Sequence, residues 1–148
     1  CLLHDIGYLI GHSGHHKHSY YLIRNGALPG FNDIEIEMIA NLARYHRKGN
    51  PRRSDYSYGH LDRRSRRAFR KLMPLLRLAN ALDRTHYSVV DSLTCAIFED
   101  RVDVRVQTRS DPELELWMAR RQCEYFERAF RRGLEVNLAG AAVSEEAQ

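Results

Sequence analysis

Cysteine is scarce in this chain, and long apolar runs are missing. Cys1, Cys95 and Cys123 are scattered and odd in number, so they form neither a disulfide framework nor a Cys-x-x-Cys zinc pattern, and a reducing, cytoplasmic setting is expected. The apolar stretch Leu2–Ile10 is too short to span a bilayer and is broken by His4 and Asp5, so no membrane partner is expected. No basic segment precedes it, so no signal peptide is read either. Cys1 opens into this stretch without an initiating Met or a cap, and residues upstream are expected to be missing. Negative charge is nearly absent from one segment: between Arg44 and Arg77, twelve Lys or Arg face only Asp55 and Asp62. That segment carries +10 and the rest of the chain −6, for a total of +4. Such a layout points to an anionic ligand on one face, whether nucleic acid, phosphorylated metabolite or polyanion; a solvated Arg-rich surface is the plainer alternative. With 43% hydrophobic and 28% charged residues over 148 positions, the chain is not of a disordered type and holds one ordinary domain, or a small domain with an appendage.

Residues 1–10 read as the end of a buried helix, stopped by Gly11 and the Ser13-Gly14 turn. A helix is predicted from near His15 to Asn25, with Gly26 beyond it. Asn32 and Glu35 have the spacing of a capping box for a helix running to Lys48, on which Ile36, Ile39, Ala43 and His46 share one face. After the Gly49-Asn50-Pro51 break and a polar loop, Asp62 can cap a helix with Phe69, Leu72, Leu76, Ala79 and Asp83 on one stripe. Pro74 lies inside it, so a kink or a junction of two helices is expected. Past Ser92 the pattern becomes β-branched: Thr94–Glu99 and Val102–Thr108 predict a hairpin, and Ser110 to Glu113 a capping box that starts a long helix with Leu116, Ala119, Cys123, Phe126 and Phe130 on one stripe, ended by Gly133. Leu134–Leu138 is a possible third strand. The expected fold is mainly α: a helical bundle over 1–90, a small α+β unit over 91–138 and a disordered tail over 139–148.

A carboxylate beside an imidazole in an apolar run costs several kcal/mol unless both are paired or hold a metal. The sequence offers His4 and Asp5 such partners in His18, His46 and Asp83, each on the inner side of its own predicted helix. Imidazole nitrogens and carboxylate oxygens on rigid helices are what a phosphohydrolase metal site requires. The alternative is that each His caps a helix or hydrogen-bonds within the core. Trp117, Cys123, Phe126 and Phe130 are read as packing against the hairpin, with a dimer surface as the second reading.

Leu3-His-Asp-Ile-Gly7, His18, His46 and Asp83 within Leu78–Arg84 resemble the HD superfamily of metal-dependent phosphohydrolases. Ser13-Gly-His-His-Lys-His-Ser-Tyr-Tyr-Leu-Ile-Arg-Asn25, Leu28-Pro-Gly-Phe31 and Ala43-Arg-Tyr-His-Arg-Lys48 are similar to the C-terminal half of the exopolyphosphatase and guanosine-pentaphosphate phosphohydrolase (Ppx/GppA) family. The likeness is dense over residues 2–90. It implies an HD-like helical domain followed by a small α/β domain. It also implies a parent hydrolase acting on phosphoric anhydrides, whose main active site lies in N-terminal actin-like domains absent here. This portion would then contribute a polyphosphate channel and homodimerisation without being catalytic alone. By the same resemblance His4, Asp5 and Asp83 would be metal ligands, with His18 and His46 accessory and Mg, Mn or Zn as the ion. The superfamily's further His from an upstream helix is not present.

The basic segment supplies Arg44, Arg47, Lys48, Arg52, Arg53, Arg63, Arg64, Arg66 and Arg67 for inorganic polyphosphate or another phosphorylated polyanion. Guanidinium forks match phosphate oxygens, and a chain of closely spaced charges without bases needs no aromatic platform. Tyr56 and Tyr58 are too few for single-stranded nucleic acid, which is not expected as a partner. Two further functions compete: an autonomous metal-dependent HD phosphohydrolase acting on a nucleotide or phosphoester, and a basic nucleic-acid-binding domain. For the latter neither a recognition helix nor a stacking platform is visible.

Overall fold

The structure is a computed structural model that describes residues 2–47 and 49–140. The chain divides into two compact units, residues 1–77 and 78–148. Composition changes near residue 90, whereas this division falls within a helix. Among the described residues no helix is long and apolar enough to cross a membrane.

The first unit opens with a 3-10 turn, Ile6–Leu9, instead of the buried helix end expected over 1–10. Leu2 and Leu9 are exposed, and in the turn only Gly7 is buried. Helix α1 (His15–Asn25) begins after Gly14, whose φ of 72° is left-handed and suits a residue without Cβ. Its buried residues, His15, Ser19 and Ile23, recur every four positions and form one face. Helix α2 (Asp33–Tyr45) carries the expected capping box: the Asn32 side chain accepts from Ile34 and Glu35, while the Glu35 carboxylate accepts from the Asn32 amide. Helices α1 and α2 pack together over Ile23, Ile36, Ala40 and Ala43. A short helix α3 (Tyr56–Gly59) interrupts the predicted loop. Helix α4 (Arg63–Leu82) is a single element with Pro74 inside it, where two helices had been an alternative. Asp62 accepts from the Ser65 amide at its start, as its capping role requires.

The face that α4 buries differs from the expected stripe. Phe69, Met73 and Leu76 are buried, while Leu72 and Ala79 are exposed. Phe69 and Met73 join Tyr58 and Leu61 in a cluster with Met38, Leu42 and Tyr45. An apolar residue stands on both sides of this helix, so periodicity alone selects the wrong one.

The second unit contains β1 (Val90–Ile97), β2 (Arg101–Thr108), α5 (Glu113–Arg120), α6 (Cys123–Phe130) and β3 (Gly133–Leu138). The hairpin and third strand are present, in the order β1-β2-β3, with β1 antiparallel and β3 parallel to β2. The single long helix predicted between the Ser110–Glu113 box and Gly133 is two helices separated by Arg121 and Gln122. Its apolar spacing carries across that break, which hid it from the sequence. Val104, Val106, Leu134 and Val136 face Leu116, Ala119 and Phe126 in the core, which Leu78, Ala81 and Leu82 complete. Of the predicted tail, residues 141–148 lie outside the described residues.

Candidate functional site

Asp5 sits at the end of the segment that leads into the 3-10 turn, and three imidazoles surround its carboxylate. His4 Nε2 lies 3.2 Å from Asp5 Oδ2. His15 Nε2 and His46 Nε2 lie 3.4 and 3.2 Å from Asp5 Oδ1. His15 stands at the first turn of α1 and His46 at the C-terminal cap of α2, so the packing of these two helices brings their rings to 5.5 Å. The His4 ring meets His46 edge-on at 4.9 Å, and Tyr8 stacks on His15 at 4.1 Å.

The tautomers follow from the backbone. His15 Nδ1 is 3.1 Å from the His12 carbonyl and His46 Nδ1 is 2.6 Å from the Ala43 carbonyl. A carbonyl only accepts, so each ring carries a proton on Nδ1 and turns its Nε2 toward Asp5. Burial pushes the His46 pKa down to about 4, and the neighbouring His4 and His15 add to this, against its bond to Ala43 and the Asp5 charge. His46 is therefore a neutral ring at pH 7. Asp5 Oδ1 and His15 Nε2 are buried and make no hydrogen bond.

This donor set fits a divalent cation. His4, Asp5 and His46 each offer a ligand atom, all within 4.8 Å of one another. A tetrahedral ion with bonds of about 2.1 Å has its ligand atoms about 3.4 Å apart, close to the spacing between Asp5 and the three rings. Holding the distal nitrogen on a backbone carbonyl is the usual way an imidazole is oriented toward a metal.

Two features fix the centre. The Gly7 amide donates to the buried Ser19 Oγ at 2.9 Å, tying the turn to α1 two residues after Asp5. Arg77, buried on α4, donates to the carbonyls of Tyr45 (2.8 and 3.2 Å) and Gly49, on either side of His46.

The expected ligands are thus gathered only in part. His4, Asp5 and His46 come together. His18 is partly buried on α1 but is not in the group; the α1 ring beside Asp5 is His15, 3.4 Å from Oδ1, which also lies outside the set formed by His4, Asp5 and His46. The four-residue repeat of His15 with Ser19 and Ile23 is the signal that marks the buried ring. Asp83 does not continue a buried stripe: α4 stops at Leu82, and the Asp83 side chain is 62% exposed and pairs with His86 at 3.4 Å.

The basic residues divide by what their guanidiniums touch. Arg47, Arg52, Arg53, Arg63, Arg64 and Arg67 are exposed and, among the described residues, form no salt bridge. Arg66 instead donates to the carbonyls of Gly59 and Leu61, and Arg44 lies over the rings of Tyr20 and Tyr45. The predicted Lys48 contact lies outside the described residues.

Comparison with known proteins decides the family. Residues 1–119 match Ppx/GppA phosphatase, domain III. The chain belongs to the Ppx/GppA phosphatase family. A relative from Pseudoalteromonas translucida (strain TAC 125), named guanosine-5'-triphosphate,3'-diphosphate pyrophosphatase, is 40% identical over 60 residues. That match covers 40% of this chain and 11% of the relative. The Ppx/GppA motifs at His4-Asp5 and Ala43–Lys48 are where the structure assembles its carboxylate and imidazole groups.

Proposed function

We propose that this chain serves a Ppx/GppA phosphatase as a polyphosphate-binding and dimerising portion with an HD-like helical unit, while the main phosphatase active site lies in N-terminal domains outside it. The observation that carries this reading is the set of six exposed guanidiniums at Arg47, Arg52, Arg53, Arg63, Arg64 and Arg67, none within salt-bridge distance of a carboxylate among the described residues, with Arg52 and Arg64 acting on Asp55 and Asp62 only at longer range. A polyanion supplies what those charges lack. Dimerisation is supported by the exposed apolar residues Leu93 and Ile97 of the edge strand β1. The test is binding of fluorescent long-chain polyphosphate to the chain, with duplex DNA as competitor. Polyphosphate is expected to bind and to resist displacement by DNA at equal charge concentration; equal competition would favour a general nucleic-acid-type basic surface.

The orphaned atoms around Asp5 favour a second reading, a divalent metal centre of the HD phosphohydrolase type. His4, Asp5, His15 and His46 would hold the ion, and Arg47, next to His46, would be available to a phosphate. A bound ion would supply Lewis acidity toward phosphoryl oxygens. Calorimetry and elemental analysis are expected to show one divalent ion per chain. Affinity should fall at least roughly tenfold in His15→Ala and remain unchanged in His18→Ala. No uptake by the parent chain, or an effect of His18 in place of His15, refutes this centre.

A further inference from the structure

Arg77, on α4, is a long cationic side chain that is only 4% exposed. A guanidinium taken out of water needs acceptors within the protein. Its Nε and Nη2 donate to the Tyr45 carbonyl at 3.2 and 2.8 Å, and Nη2 donates also to the Gly49 carbonyl. These acceptors lie at the C-terminal end of α2 and just beyond it. The last four carbonyls of a helix find no partner within it, and the C-cap of α2 is His46. Arg77 therefore supplies, from 32 positions away in sequence, a bond that α2 cannot make for itself.

The two carbonyls bracket His46. Tyr45 precedes it and Gly49 follows it after two intervening residues. The His46 ring is aimed by its Nδ1, which sits 2.6 Å from the Ala43 carbonyl in the last turn of α2. Its direction thus depends on that turn staying wound, and helix ends fray unless something ties them. A metal-binding nitrogen has to be held within about 0.5 Å of its working position.

We propose that Arg77 is a positioning residue for the Asp5 centre: by tying the end of α2 to α4 it keeps His46 Nε2 in reach of a cation beside Asp5. This role rests on the reading of that cluster as a divalent metal centre. The bonds go to main-chain carbonyls on both sides of His46, so Arg77 acts on the ring through the backbone. A planar guanidinium can place two N–H groups on one carbonyl and a third on another, whereas a lysine ammonium is a single point donor.

Zinc chloride is titrated calorimetrically into the whole metal-free chain for the parent, Arg77→Met, Arg77→Lys and Ile36→Ala. Ile36 is buried near the opposite end of α2 among the α1–α2 contacts, so its variant measures what a general loss of packing does. Arg77→Met is expected to weaken zinc binding at least roughly tenfold, the scale on which the outer partners of metal ligands act. Arg77→Lys should lose severalfold. Ile36→Ala should lower the thermal midpoint and leave the affinity unchanged. A second readout needs no metal: ring-nitrogen correlations in NMR should show His46 protonated on Nδ1 in the parent and broadened by exchange in Arg77→Met. If Arg77→Met does not fold, Arg77→Lys carries both measurements. Unchanged affinity in a folded Arg77 variant, or an equal loss in Ile36→Ala, overturns the positioning role and leaves the centre standing. No zinc uptake by the parent removes the centre and the role together.

Discussion

A carboxylate oxygen with imidazole nitrogens at 3.2 and 3.4 Å is favourable only where a proton or a cation lies between them. Asp5 is held there by its neighbours more than by its own bonds, and Gly7 is the residue that permits it. A Cβ at Gly7 would stand 2.0 Å from the His15 carbonyl and 2.5 Å from the Ser19 amide. Both are backbone atoms of a helix and cannot swing aside. Gly7→Ala should therefore cost at least about 2 kcal/mol, as overpacking of a close contact does. Thermal unfolding followed by circular dichroism reads this directly, and a variant as stable as the parent would show that the turn does not dock on α1 as described. Gly7 was visible in the sequence as part of the dyad motif, but its close approach to α1 was not. His15 was likewise hidden among four candidate rings between His12 and His18, and only helix register separated it from them.

The strand β1 is the element whose surroundings least match its composition. Its register pairs Leu93 with Val106, Cys95 with Val104 and Ile97 with Val102. Those three side chains thus lie on the face that β2 turns toward the core, yet Leu93 and Ile97 are 50% and 70% exposed. Helices α5 and α6 pack on β3, at the opposite edge of the sheet from β1. From Ser92 to Ile97 the strand contains no charge, Pro or Gly, which are the usual devices for blunting an open edge. Pairing with β1 of a second chain would extend the sheet and cover this row. Ile97→Lys is then expected to convert a dimer to a monomer in sedimentation velocity while the far-ultraviolet spectrum stays unchanged. A parent chain that is monomeric at every concentration, or a variant that still dimerises, removes this edge as the interface.

Charge is divided over the molecule along the same line as structure. Residues 1–77 have fourteen Lys or Arg against six Asp or Glu, and residues 78–148 have nine against thirteen. One chain thus presents a unit suited to polyanions and another with acidic excess. If the six exposed guanidiniums of the first unit each meet a phosphate, affinity for polyphosphate should fall by roughly three orders of magnitude between 50 and 200 mM salt. Fluorescence anisotropy across that range measures the slope, and a flat response would mean that the basic surface is solvated and not engaged.

Family, hairpin, capping box and basic segment were all legible in the residues, because each depends on local spacing, on turn chemistry or on composition. Which carboxylate and which rings meet was not legible. Asp83 and Asp5 look alike as isolated acids near apolar residues, and Leu72 and Met73 are equally good core candidates. Docking of α1 on α2 chose His15 over His18, the end of α4 at Leu82 left Asp83 in solvent, and the carbonyl bonds of half-buried Arg66 and buried Arg77 withdrew two cations from the surface. Burial is a property of pairs of elements, and side-chain periodicity within one element does not determine it.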